Sequence, residues 1–193
     1  MMKIAITGGI GSGKSFVCRK LSERGIYVYD CDNAAKRIMN TSHEVQSNLK
    51  NVVGDNVFVD GVLNKTVLTK YLMKNEDNML RINNIVHPAV AEDFIKSGAL
   101  WMECALLFSS GFNKLVDKVI CVTAPYDIRV SRIMKRDKIS RQMAEEWIVK
   151  QMPQSEVLRL SNYEIANGGT DNLDLQIDMI LKSLGNYGYA LKL

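Results

Sequence analysis

Long apolar runs are missing from this sequence: no stretch approaches the roughly 20 residues that a helix needs to span a bilayer. Cysteine is sparse, with Cys18, Cys31, Cys104 and Cys121 far apart and no C-x-x-C pair, and only two histidines, His43 and His87, accompany them. That spacing suits neither a zinc site nor a disulfide framework, so reduced thiols are expected. Three prolines in 193 residues leave no proline-rich linker, and neither an internal repeat nor a low-complexity tract is visible. A surplus of one charge is also lacking. The 25 Lys and Arg face 21 Asp and Glu, a net charge of +4, with basic residues dispersed among acidic ones, so nucleic-acid binding is not demanded. The amino terminus runs directly into an apolar stretch with no room for a signal peptide, and a soluble cytoplasmic protein is expected. The length suits one α/β domain carrying an insertion.

Against this plain background stands Ile4-Ala5-Ile6-Thr7-Gly8-Gly9-Ile10-Gly11-Ser12-Gly13-Lys14-Ser15. It fits G-x-x-x-x-G-K-[ST], the phosphate-binding P-loop, with Gly8, Gly13, Lys14 and Ser15 at the fixed places. Glycines let successive N–H groups turn toward phosphate oxygens, and the following helix presents its positive dipole end to them. Lys14 would reach the β- and γ-phosphates, and the Ser15 hydroxyl would ligate Mg²⁺. The apolar stretch before the loop and the helical pattern Phe16 to Leu21 after it supply the context the motif needs. ATP or GTP is the expected ligand.

Short apolar runs alternate with amphipathic stretches along the chain. Lys3 to Thr7, Ile26 to Tyr29, Ala99 to Phe108, Lys118 to Thr123 and Tyr163 to Ala166 read as strands; Ser15 to Arg24, Tyr126 to Arg136, Arg141 to Gln151 and Leu173 to Leu184 read as helices. Residues 33–97 are too long for an ordinary connection and carry helical patches at Ala34 to Met39, Val67 to Tyr71 and Asp77 to Val86, so they form a helical insertion. The expected fold class is α/β, a P-loop NTPase-type parallel sheet flanked by helices, with ligands at the carboxyl ends of the strands. Its core covers about 1–32, 98–125 and 160–193, its helical insertion about 33–97 and its lid about 126–159.

The second strand ends at Asp30-Cys31-Asp32, on the same edge as the P-loop. Either carboxylate suits a general base or an outer metal ligand, and Asp32 suits equally the N-cap of the next helix. Arg129, Arg132 and Arg136 fall near one helix face, with Arg141 after a short break. They read as a lid that stabilises the charge of phosphoryl transfer, or as a solvated basic face. Pro88 restrains His87 to extended geometry.

In order, these motifs, with Leu106-Leu107-Phe108, Lys135-Arg136-Asp137 and Asn167 before Gly168, resemble dephospho-CoA kinase over nearly the whole chain. The resemblance implies transfer of the ATP γ-phosphate to the ribose 3′-hydroxyl of dephospho-CoA, the last step of CoA synthesis, with Mg²⁺. It implies a P-loop core, a helical CoA-binding insertion and an arginine-bearing lid. Asp32 matches the general base; Gly9, Ile10, Gly11, Ser12, Gly13, Lys14, Ser15 and Phe16 match the ATP loop. Arg132, Arg136 and Arg141 match lid arginines approaching ATP, Lys14 and Arg136 sharing the catalytic role. Asp30 and His87 match the acceptor site, and Asn167 matches the residue before the small turn that faces the adenine of ATP. Two positions depart from the pattern: Phe16 stands where the family usually has Thr, and Ser109 where it often has Glu, with Glu103 a candidate substitute. A related small-molecule or nucleoside kinase is the second enzyme reading, and a non-catalytic nucleotide sensor the reading from another class. The oligomeric state is not legible.

Overall fold

The computed structural model describes residues 1–185; the last stretch of the expected core, 186–193, lies outside the described residues. Five strands form one sheet: β1 (Ile4–Thr7), β2 (Val28–Asp30), β5 (Trp101–Glu103), β6 (Lys118–Thr123) and β7 (Tyr163–Ala166), in the order β2-β5-β1-β6-β7. A separate antiparallel pair, β3 (Phe58–Val59) and β4 (Val62–Leu63), closes through Asp60 and Gly61. β1 is central and parallel to both neighbours, Ile6 lying opposite Glu103 on one side and Ile120 on the other. All four β1 residues are buried, as befits a strand covered on both faces. The chain runs to one side of β1 for β2 and β5, then to the other for β6 and β7, and this reversal opens a crevice at the carboxyl end of β1.

The described residues divide into two compact units, 1–29 with 99–185, and 30–98. In the first, α1 (Lys14–Glu23) and α9 (Leu173–Ser183) cover the sheet. Their Val17, Leu21, Ile177 and Leu181 join Ile4 and Ile120 in one apolar cluster. α6 (Tyr126–Asp137) and α7 (Arg141–Val149) build a second cluster from Val130, Ile133, Ala144 and Ile148. α8 (Gln154–Arg159) leads back toward β7. Cys121 is fully buried in β6, and burial pushes its thiol up to about 11.

The second unit is α2 (Cys31–Thr41), α3 (His43–Val53), the β3–β4 pair, α4 (Lys65–Leu72) and α5 (Glu76–Ser97). Side-chain caps set its helix starts: Asp30, Ser42, Asn64 and Asn75 each accept from the amide three residues on. Pro88 lies inside α5, so His87 is helical rather than extended. A proline there removes one amide donor and crowds the Asn84 carbonyl. The buried stripe Ile82, Val86, Val90 and Phe94 runs unbroken past it, and that packing overrides the local preference.

Two other differences from the sequence reading stand out. Ala99 to Phe108 is not one strand: pairing stops after Cys104 donates to the Ile6 carbonyl, and residues 105–110 turn. Leu107 is wholly buried while Leu106 is 47% exposed, so an apolar run spelled a buried turn as readily as a strand. α3 and α8 have no counterpart in the sequence reading.

Packing predicts a sharp contrast on α9. Ile177, 1% exposed, replaced by Ala should cost about 2–5 kcal/mol of unfolding free energy. Met179→Ala, at an exposed position of the same helix, should stay within about 0.5 kcal/mol. Urea unfolding followed by circular dichroism reads both.

Candidate functional site

β1 ends at Thr7, and Gly8 to Gly13 turn the chain into α1. Two glycines there are demanded by space as well as angle. Gly11 has φ +79°, and a Cβ on it would meet the Arg129 carbonyl oxygen at 2.7 Å. Gly13 has φ +95°, and a Cβ would meet Asn167 Nδ2 at 2.1 Å. α1 therefore starts at a residue with no capping side chain, unlike the capped helices of the second unit. Its first amides and dipole are oriented for an anion, and Lys14 and Ser15 sit in that first turn.

The outer face of the loop is held by hydrogen bonds from distant segments. Arg129 of α6, 5% exposed, donates Nε to the Ile10 carbonyl at 2.9 Å. Burial pulls its pKa below the usual guanidinium range, but a guanidinium keeps its proton in proteins. A fixed positive charge therefore lies directly behind the loop. Arg132 donates Nη1 to the carbonyls of Gly11 and Ser12 at 3.3 and 3.2 Å and Nη2 to Asn167 Oδ1 at 3.2 Å. Asn167 closes the triangle, giving Nδ2 to the Ser12 carbonyl at 2.8 Å. Gln151 Oε1 accepts from the Ile10 amide at 2.7 Å.

This corrects the grouping of the arginines. Arg129 does not share a solvent-facing role with Arg136; it is buried under the loop, and Arg132 is bonded to the loop as well. Arg136 and Arg141 are exposed and engage acids, Arg136 with Asp137 at 2.8 Å, Arg141 with Asp127 at 2.7 Å and Glu145 at 2.8 Å. Such surface pairs are weak, so both guanidiniums exchange partners at little cost. Gly13, Phe16, Arg132 and Asn167 line one cleft of about 600 Å³.

Ser15 Oγ, in the first turn of α1, donates to Glu103 Oε1 at the end of β5 at 3.3 Å. A hydroxyl and a carboxylate are hard oxygen donors that suit Mg²⁺, a cation that keeps waters and binds phosphate alongside one or two protein oxygens. Among the described residues no group of three His, Cys, Asp or Glu gathers for a metal. Ser109, by contrast, donates to the Leu106 carbonyl at 3.2 Å within the turn.

In the second unit the cap of α2 is Asp30, not Asp32. Asp30 takes the Asn33 amide at 2.9 Å and its side-chain Nδ2 at 2.7 Å. Asp32 is exposed in the first turn of α2, where the helix dipole favours a carboxylate. His87 is half-buried in α5, and burial holds its pKa below the usual 6.5. The sequence reading passed over Gln151, which carries no motif, and undervalued Arg129, whose spacing from Arg132 was visible but whose burial was not.

The sequence model of the dephospho-CoA kinases matches residues 2–172. The chain belongs to this family. Relatives named dephospho-CoA kinase include one from Bacteroides fragilis, 37% identical over 91% of this chain and 89% of its own, and one from Porphyromonas gingivalis, 36% identical over 95% of each. Among solved structures, TT1252 from Thermus thermophilus superposes with a TM-score of 0.83 at 27% identity, covering 95% of this chain and 97% of its own. A shikimate kinase from Acinetobacter baumannii, 16% identical over 97% and 95% of the two chains with a TM-score of 0.57, shares the fold. The dephospho-CoA kinase family and the parallel sheet with its P-loop thus agree.

Gly11→Ala must push against the Arg129 backbone at a positive φ; Mg-ATP affinity measured by calorimetry should fall roughly tenfold or more. His87 adds a pH dependence. Its folded pKa lies below 6.5, so the unfolded chain takes up the proton first as pH falls. Stability should be full above about pH 6.5 and decline below it. His87→Gln should flatten that decline in urea midpoints measured between about pH 7.5 and 5.

Proposed function

We propose that this chain transfers the γ-phosphoryl group of ATP to the 3′-hydroxyl of dephospho-CoA, yielding CoA and ADP, the last step of CoA biosynthesis. The observation that carries this reading is the family match over residues 2–172, which includes an intact P-loop at Gly8 to Ser15. The transfer is direct and in line, without a phosphoenzyme. Lys14 and the amides of the loop from Gly9 to Phe16 hold the phosphates, and the buried Arg129 adds positive charge behind them. Ser15 and Glu103 would hold Mg²⁺, which would supply neutralisation of phosphate charge. Glu103 thereby supplies a carboxylate that Ser109, turned to a backbone carbonyl, does not.

Asp32 orients the 3′-hydroxyl and accepts its proton, while Asp30 and His87 belong to the acceptor side. Arg132 and Asn167 flank the nucleotide; Arg136 and Arg141 leave their weak surface partners to close on the phosphates, and Arg136 meets the charge of the transition state. Cys18, Cys31, Cys104 and Cys121 form no disulfide among the described residues, which suits a reducing compartment, the cytoplasm. Among the described residues, no helix is long and apolar enough to cross a membrane.

The test is ADP release by the purified protein with Mg-ATP, with and without dephospho-CoA, and a product heavier by one phosphate. ADP release that needs dephospho-CoA and yields CoA establishes reaction and acceptor together. Asp32→Asn should lower kcat by about 10²–10⁴-fold while calorimetric Mg-ATP affinity stays unchanged. Full turnover in that variant would remove Asp32 from the role of base.

A further inference from the structure

Phe16 is an apolar residue at a place where burial does not explain it. It is the third residue of α1, 44% exposed, and it lies outside the apolar cluster that α1 shares with the sheet. Its ring is held all the same: the Arg19 guanidinium and the Lys20 ammonium stand 5.3 and 5.5 Å from its centroid, and Lys20 is fixed by Asp174 at 2.6 Å. An exposed ring with two cations over it, neither closer than 5.3 Å to its centroid, is restrained rather than loose, and a base that stacks on it displaces cations rather than an apolar partner.

The ring forms part of the wall of the cleft of about 600 Å³ that also includes Gly13, Arg132, Asn167, Gly169 and Asp171. Gly13 belongs to the phosphate loop and to this wall at once. A nucleotide whose phosphates lie on the loop therefore runs out into this cleft with its sugar and base. The edges of the Arg132 guanidinium are committed to Gly11, Ser12 and Asn167, which leaves its flat faces for stacking. The Asn167 amide is likewise spent, between Arg132 and the Ser12 carbonyl. Asp171 takes the Gly168 amide. With these side-chain groups already engaged by protein, the cleft offers a base chiefly surfaces: a phenyl ring and a guanidinium plane.

We propose that Phe16 is the stacking face for the base of the bound nucleotide, so that this chain gains affinity for nucleoside triphosphates through an aromatic contact made one residue beyond the Gly-Lys-Ser of its phosphate loop. The proposal rests on the nucleotide-binding reading above. It predicts that affinity at this position tracks aromaticity, and that a ligand with phosphates and no base is indifferent to it.

Calorimetry with Mg-ATP and with Mg-tripolyphosphate on four proteins tests this: the wild type, Phe16→Ala, Phe16→Leu and Phe16→Trp. Both aliphatic variants should bind Mg-ATP roughly tenfold more weakly, Phe16→Trp should bind it at least as tightly as the wild type, and all four should bind Mg-tripolyphosphate alike. In steady state the aliphatic variants should raise KM for ATP with kcat little changed. Wild-type affinity for Mg-ATP in Phe16→Leu would overturn the proposal, since volume alone would then suffice. Equal weakening toward both ligands would overturn it too, because the ring would then be supporting the loop. A wild type that binds tripolyphosphate but gains nothing from the base of ATP would also overturn it, leaving the phosphate site intact. A wild type that binds neither would bring down the nucleotide reading itself and this proposal with it.

Discussion

The carbonyl oxygen of Ser12 is the point on which this site turns. It accepts from Arg132 of α6 and from Asn167 just beyond β7, segments more than a hundred residues along the chain. A phosphate loop must aim its amides inward, and its carbonyls are then left facing outward. Here those carbonyls are met by side-chain donors: Ile10 by Arg129, Gly11 by Arg132, Ser12 by both Arg132 and Asn167. The back of the loop is thus satisfied by α6 and by the residue that follows β7. The arrangement is not without cost. Ser12 Oγ is buried with no hydrogen-bond partner, a penalty of about 1–3 kcal/mol that the network around its carbonyl offsets.

The same network has an electrostatic consequence. Arg129 is a buried cation whose hydrogen bond goes to a neutral carbonyl, and desolvation, which pulls its pKa down, is the largest influence on it. An incompletely balanced charge in a poorly solvated place is expensive in the empty protein. It becomes favourable when a polyanion settles on the other side of the loop, since both lie in a medium that screens little. Structural support and ligand attraction are in this way supplied by one side chain. Arg136 and Arg141, exposed and paired with nearby carboxylates, follow the opposite economy: little is lost when they change partners.

Much of the fold was legible in the residues. The apolar run at Lys118 to Thr123 is a strand because a parallel strand buried on both faces needs continuous apolar side chains, and Tyr163 to Ala166 pairs with it as the edge strand, with Ile165 buried. Tyr126 to Arg136 is helical within one residue. Where the reading failed, a nonlocal contact had outweighed a local preference. Pro88 marked a boundary by its own chemistry, but α5 continues because Ile82 and Val86 on one side and Val90 and Phe94 on the other are buried in one stripe. Ala99 to Phe108 has the composition of a strand, yet only three residues of it form β5, since burial of Leu107 does not require extended backbone. In sequence Asp32 suited the cap of the next helix; it is the Asp30 side chain that turns back to Asn33 and takes the role.

The sequence by itself determined the phosphate loop, because its chemistry is local: the glycines, the lysine and the serine act through spacing along one stretch of chain. It also determined the α/β class, because alternating apolar and amphipathic periods are local properties too. Only the tertiary structure decided which arginines stand behind the loop and which face solvent, that Glu103 rather than Ser109 reaches Ser15, and that Phe16 opens onto a cleft with Arg132 and Asn167. Those are facts about residues 88 to 151 positions apart. Their proximity depends on the order of strands in the sheet, and no window of sequence contains it.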